Sequence, residues 1–314
     1  VVSQFLYRPD IGAQWRRLDG WLMLRPELVL IIATIMWGTS WIPLHAFADI
    51  GLSGMPMVLA TCGLIGLVAL CPLWLQRSQW RRQYWGVLAI ICFGGWANVA
   101  LISSLSLGEN LVRMMLLFYL APVWAVIGGW LLLKERLTLL RLGALALALV
   151  GIALTLGAGK EVLQPMTTVD WLAMSAGFAF AMNNLATRAA DRVPLMSKTF
   201  AAFIGSALFA AGICFLLDQW LPSLGVGSWL LVALFAVGWL LATLGAQYGV
   251  THLEAGRAAV LIVFELIAAV LSAAWLGEQA IGPREWIGAA LVCVAAVMAA
   301  WPDQPQAQLT RSMP

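Results

Sequence analysis

"LAPVWAVIGGWLLLKERLTLLRLGALALALVGIAL", residues 120–154, holds two apolar runs joined by a short charged connection around Lys134, Glu135 and Arg136. Extended to 110–133 and 139–158, each run reaches the roughly 20 residues that cross about 30 Å of hydrocarbon as a helix. A membrane-spanning strand would be about half as long and would alternate apolar with polar residues, and neither feature is present. Working outward, the same pattern recurs at 28–47, 53–75, 84–107, 168–189, 195–217, 228–250, 255–276 and 283–301. The fold expected is an all-α membrane protein of ten transmembrane helices.

Bulk composition agrees. The chain is 62% hydrophobic and only 11% charged, with a mean hydropathy of +0.90, where a soluble domain would carry roughly a quarter charged residues. The longest connection runs from about Gly159 to Thr168, so no soluble domain is expected inside the array. No cleavable signal peptide is expected, because the first apolar run continues through Pro43 and His45. Residues 1–27 read as a cytoplasmic arm, with Trp15, Trp21 and Leu22 able to lie on the membrane surface; residues 302–314 read as a cytoplasmic tail. The five cysteines all fall inside apolar runs and read as small packing residues, not a disulfide framework. The net charge of +3 gathers in no block that would suit nucleic acid.

Orientation follows from the basic residues. With the N-terminus inside, fifteen of the 18 Lys and Arg fall on the inner side, and only Arg113, Lys160 and Arg284 fall outside. An error of one helix would scramble that asymmetry. The location expected is a bacterial inner (plasma) membrane, multi-pass, with both termini cytoplasmic.

The two halves match at a nearly constant spacing. Gly95-Trp96 and Gly238-Trp239 are 143 apart, Arg113 and Arg257 144, Glu135 and Glu278 143, and Gly143 and Gly288 145. Residues 28–158 and 168–301 therefore read as two five-helix repeats. Five is odd, so the second is inverted relative to the first. Inverted repeats place a substrate site near the midplane between the halves, exposed to each side in turn as they rock.

Helix 1 carries "WGTSWIP", the fourth and fifth helices run as quoted above, and helix 9 leads into "WLGEQAIGPREWIGAALV". The proline in helix 4, the glutamate after it and the glycine-bearing fifth helix resemble the EamA-type branch of the drug/metabolite transporter superfamily, over about residues 28–301. The resemblance implies a secondary carrier that exports amino acids or other metabolites, with cationic-compound efflux as the alternative. It implies no cofactor. Its partners are the small-molecule substrate, protons in the coupled case, and the lipid bilayer, with no oligomer required. One departure is that Leu266 stands where helix 4 has Pro122, so a kink is expected in one half only.

Candidate transport residues follow from polarity at depth. Glu265 sits mid-helix 9, where a charge costs roughly 2.5–3.5 kcal/mol; it reads as a binder of a substrate ammonium or a proton carrier, or more plainly as a glutamate bonded to a neighbouring helix. Arg113 and Arg257, beside Glu109 and Glu254, read as a pair of gates or a partner for a substrate carboxylate, or as snorkelling anchors. Most of the 17 tryptophans fall near helix ends, as an interfacial belt requires. Trp37, Trp41, Trp96 and Trp239 lie deeper and would line an aromatic cavity, or simply pack. Trp96 and Trp239, beside matched glycines, are expected to approach the pseudo-two-fold axis from matching positions. Asn183 and Asn184 must find hydrogen bonds at depth, with substrate or with another helix. Tyr119 and Tyr248 are weaker candidates of that kind, and His45 could titrate near neutrality.

The rival from another class is an intramembrane serine hydrolase using Ser53 of Gly51-Leu52-Ser53-Gly54. A nucleophilic serine needs a base within reach, and the residues equally suit a turn between helices. Neither a zinc-protease HExxH nor a phosphate-cradling GxxxxGK[ST] occurs, and no metal site is expected. A channel would need a continuous polar pore, whereas the polar residues here are few and scattered.

Overall fold

The computed structural model describes residues 25–107, 111–156, 165–276 and 282–300. The arm up to residue 24, the tail from 301, Glu109, Lys160 and Glu278 lie outside the described residues. The described elements are α1 (Pro26–Gly38), α2 (Trp41–Asp49), α3 (Gly54–Leu75), α4 (Tyr84–Leu107), α5 (Leu111–Phe118), α6 (Ala121–Leu133), α7 (Leu139–Thr155), α8 (Thr168–Ala189), α9 (Leu195–Leu216), α10 (Val226–His252), α11 (Ala255–Ile262), α12 (Phe264–Trp275) and α13 (Pro283–Ala300), with two short helical turns, Arg77–Trp80 and Arg81–Gln83, between α3 and α4. The all-helical class is borne out, with no strand among the described residues. Seven helices, counting the broken ones as single runs, are long and apolar enough to cross a membrane, and Leu139–Thr155 and Trp286–Ala299 are apolar but shorter. This is a multi-pass membrane protein. α8 is not among the seven; it carries Asp170, Asn183, Asn184 and Arg188 and is the most polar of the long helices.

Local chemistry sets the ends. α1 starts on Pro26, whose missing N–H costs nothing in a first turn. α8 starts with a reciprocal cap: the Asp170 amide donates to the Thr167 hydroxyl at 3.2 Å, and the Thr167 amide donates to the Asp170 carboxylate at 2.6 Å. Thr138 caps α7 by accepting from the Arg141 amide at 3.3 Å. α6 ends where Lys134 turns left-handed (φ 56°). Gly51 and Gly54 take φ of 80° and 58° around exposed Ser53, which is the turn role their types suggest.

Three helices of the array are broken. Between α1 and α2 the chain turns at Thr39 and Ser40, four and three residues before Pro43; that proline has no N–H for the Thr39 carbonyl. The Ser40 hydroxyl donates back to the Trp37 carbonyl at 2.6 Å. Between α5 and α6 the break at Tyr119–Leu120 precedes Pro122. Between α11 and α12 it falls at Val263, with no proline; tight three-residue bonds run from the Val263 amide to Val260 O (3.2 Å) and from the Leu266 amide to Val263 O (3.0 Å). The expectation of a kink in one half only is therefore corrected. Leu266 does not straighten its helix, because packing against α1 holds the bend: a side chain at Gly38 would collide with the Glu265 carbonyl and with Ala268.

Helix pairs close on small residues, as membrane helices do. α4 lies on α8 and α9, α10 on α1 and α3, α8 on α5 and α6, and α1 on α11 and α12; α3–α9, α7–α13 and α6–α11 complete the array. Gly95 faces the Gly205 backbone between α4 and α9, and Gly151 faces Gly288 between α7 and α13. Leucine and valine cover the outside, and Trp74, Trp85, Trp130, Trp171, Trp220, Trp275 and Trp286 are exposed near helix ends, as a lipid-facing belt requires.

Candidate functional site

Two of the breaks meet at one cavity, and the end of α1, beside the third, lies against the Glu265 backbone. A narrow cavity between α6, α8 and α11 is lined by Phe118, Tyr119 and Pro122 at one break, by Ile262 and Val263 at another, and by Phe180 and Asn184 of α8. Two residues beyond Val263, in the first turn of α12, stands Glu265. It is half-buried and within electrostatic reach of Tyr119. Its carboxylate makes no hydrogen bond or ion pair among the described residues.

An aromatic seam runs alongside. Trp37 meets Trp239 at 6.2 Å and Phe180 at 6.4 Å between ring centres; Phe180 meets Phe118 at 5.7 Å, and Phe118 meets Tyr119 at 5.5 Å. Such edge-on and tilted pairs suit ring quadrupoles. The buried Trp37 indole N–H has no acceptor among the described residues.

Of the residues singled out from sequence, Trp37, Trp239, Tyr119, Asn184 and Glu265 gather around this region. The others are placed apart. Trp41 donates its indole N–H to Ser272 at 2.9 Å and packs against His45. Trp96 donates to Ser175 at 3.1 Å and packs on Phe209. Asn183 bonds Asn184 at 3.3 Å and turns its oxygen toward Gly94 on α4. Trp96 meets α8 through Ser175 and Trp239 meets α1 through Trp37, but the glycines beside them differ. Gly95 is pressed against another backbone, whereas nothing lies within 4 Å of a side chain built at Gly238. Tyr248 contacts His252. Phe180 is the chief residue that sequence reasoning missed; a Phe inside a membrane helix, with Phe178 beside it, carries no signal of its own.

The arginines lie at helix ends, engaged by carboxylates. Arg113 is buried and its Nε donates to Asp170 at 2.8 Å, with a further bond to the Pro165 carbonyl at 3.1 Å. Arg257 donates to Glu27 at 3.0 Å and to the Ala299 carbonyl at 2.6 Å. Glu254, its sequence neighbour, pairs instead with Arg141. Close by, Glu135 accepts from Arg188 at 2.7 Å and from the first amide of α11, Ala255 N, at 3.0 Å. An acid at a helix N-terminus is where the dipole favours it. Outside the spans, Gln83 donates to Asp191 at 3.0 Å; that bond, with help from the Arg192 amide, holds the Asp191 carboxyl below its ordinary range.

A half-buried carboxylate thus stands where broken helices meet inside a multi-pass helical protein. Residues 24–157 match the EamA-like transporter family, and over them the EamA-type reading of the sequence, with its place in the drug/metabolite transporter superfamily, is borne out. Among solved structures, a crystal structure of a protein aligns with a TM-score of 0.69 at 20% identity, covering 87% of this chain and 96% of that one; the likeness is one of fold. None of the curated proteins matches the sequence.

Proposed function

We propose that the chain is a secondary transporter that exports small amine-bearing metabolites, amino acids first among them, by alternating access at the cavity beside Glu265. The observation that carries this is the Glu265 carboxylate itself. It sits at a helix break next to an aromatic seam, without a partner among the described residues, where an ammonium would both neutralise it and stack. Asn184, Tyr119 and the Trp37 N–H offer neutral bonds for the rest of the ligand. The alternative, efflux of cationic compounds, is favoured by the same carboxylate and by the engagement of Arg113 and Arg257 with acids at the helix ends, which leaves the substrate's own carboxylate to neutral donors.

The supporting architecture is ten spans in two inverted halves. Its support is the packing: α4 on α8 is matched by α10 on α1, α4 on α9 by α10 on α3, and α5 and α6 on α8 by α11 and α12 on α1. Each pairing becomes its mate when the halves are exchanged. The lysine and arginine bias supports a reading with both termini in the cytoplasm, and the proposed location is a bacterial inner membrane.

The test is uptake into proteoliposomes across a panel of amino acids and organic cations, with and without a pH gradient. Saturable uptake is expected, and Glu265→Gln is expected to abolish it or its pH dependence. Unchanged uptake in that variant would sink the role of Glu265.

A further inference from the structure

Two ion pairs in this structure are images of each other. Arg113 pairs with Asp170 and Arg257 pairs with Glu27. The arginines are 144 residues apart and the acids 143, the spacing that relates the halves. Each pair is also crossed: one partner comes from the first half and the other from the second. Arg113 lies in α5 and Arg257 in α11, the leading segments of two of the three broken helices. Asp170 opens α8, which carries Phe180 and Asn184 to the cavity, and Glu27 opens its mate α1, which carries Trp37 against Phe180.

The pairs lie at opposite ends of the molecule. α8 has 22 residues and so spans about 33 Å. Its first turn holds Asp170 with Arg113. Its last turn holds Arg188, which bonds Glu135 and the Leu253 carbonyl at the start of α11, where Arg257 sits.

We infer that Glu27 and Asp170 are the acidic halves of two latches, one at each mouth of the cavity, that open alternately. Separating a poorly hydrated ion pair leaves two uncompensated charges unless water reaches both. Each latch therefore opens only as its own mouth hydrates, and hydration at one mouth coincides with closure of the other when the halves rock. Here both latches are shut. The Arg113–Asp170 pair is the more buried, with side chains 8% and 1% exposed against 16% and 22% for Arg257–Glu27. The second mouth compensates with Glu135–Arg188 and Arg141–Glu254 beside it. This inference rests on the inverted-halves carrier proposed above.

Hydrogen–deuterium exchange of the full chain in lipid nanodiscs tests it. Glu27→Gln is expected to speed exchange at least threefold in the first turns of α1 and α11, and to leave residues 165–172 unchanged or slowed. Asp170→Asn should do the reverse, its Thr167 cap surviving because an amide oxygen still accepts. The charge-swapped double Glu27→Arg with Arg257→Glu should return to the wild-type pattern. Faster exchange at both mouths in either single variant would mark the pairs as mere structural braces and overturn the latches, as would no change at either. If wild-type liposomes transport saturably but exchange does not divide by mouth, the latches fail and the carrier stands. If exchange divides by mouth but no panel compound is taken up, the latches stand and the carrier reading fails.

Discussion

At the residue scale, matched positions in the two halves have diverged in what they touch. A side chain at Gly95 would lie 2.5 Å from the Gly205 carbonyl carbon and 2.7 Å from Phe209, whereas its counterpart Gly238 has open surroundings. Gly95→Ala should therefore destabilise by about 1–3 kcal/mol, because α4 and α9 must part to admit a methyl group. Gly238→Ala should be neutral or stabilising by up to about 1 kcal/mol, through helix propensity alone. Thermal unfolding in detergent measures both, and equal effects would contradict the asymmetric packing. The sequence showed the Gly-Trp match but not this difference, which depends on which neighbour crosses at each glycine. Lys198 makes the same point. It reads as one more inner-side cation, yet it is buried, donating to the Thr187 carbonyl at 2.8 Å and to Thr251 at 3.3 Å. The first acceptor is a backbone carbonyl in the last turn of α8 and the second a hydroxyl in the last turn of α10, so the ammonium sits where two helix C-termini meet. Nothing local in the sequence reveals that convergence. Glu27 and Asp170, in contrast, share the spacing of 143 that also relates Glu135 to Glu278, so their match is legible in the sequence.

At the element scale, helix positions were legible because apolar length and polar caps decide them; the ends found differ from those expected by a few residues. The breaks were only partly legible. Pro43 and Pro122 announce two of them, but the Val263 break has no local cause and is held by Gly38 of α1 seated on the Glu265 backbone. The proline breaks and the packing break should respond differently to mutation. Pro122→Ala supplies the N–H that the Phe118 carbonyl lacks, so it should raise thermal stability, by up to about 3 kcal/mol if the helix heals fully. It should also slow transport, since a straight helix cannot flex at Tyr119. Gly38→Leu should instead lower stability, because the new side chain meets the Glu265 carbonyl and Ala268. Unfolding midpoints and initial uptake rates, measured together, check the pair; a Pro122→Ala protein that is less stable would show that the bend is held by its neighbours, as the Val263 bend is.

At the scale of the whole molecule, the helices pack mostly across the halves and little within them. α4 rests on α8 and α9, α1 on α10 to α12, α3 on α9, and α7 on α13, and every one of these contacts joins a helix before residue 156 to one after 167. A half chain would thus present to lipid the faces where its glycines and alanines meet the other half, and would lose the contacts that order its broken helix. Split in the connection between Gly159 and Thr168, neither half alone should be recovered as a folded, monodisperse protein. Expressed together they should assemble and restore saturable uptake. Yield should be lower than for the intact chain, because the cut removes an effective concentration on the order of mM between the halves. Insertion is not the obstacle. In the proposed ten-span topology Arg188, Arg192, Lys198 and Arg257 fall on one side and Arg284 alone on the other among the described basic residues of the second half, so that half would carry its own orientation signal. Recovery of a stable single half would show that its packing is internal after all; assembly of the pair, with Arg113 of one piece against Asp170 of the other, would show that crossed contacts suffice to build the carrier without the covalent link.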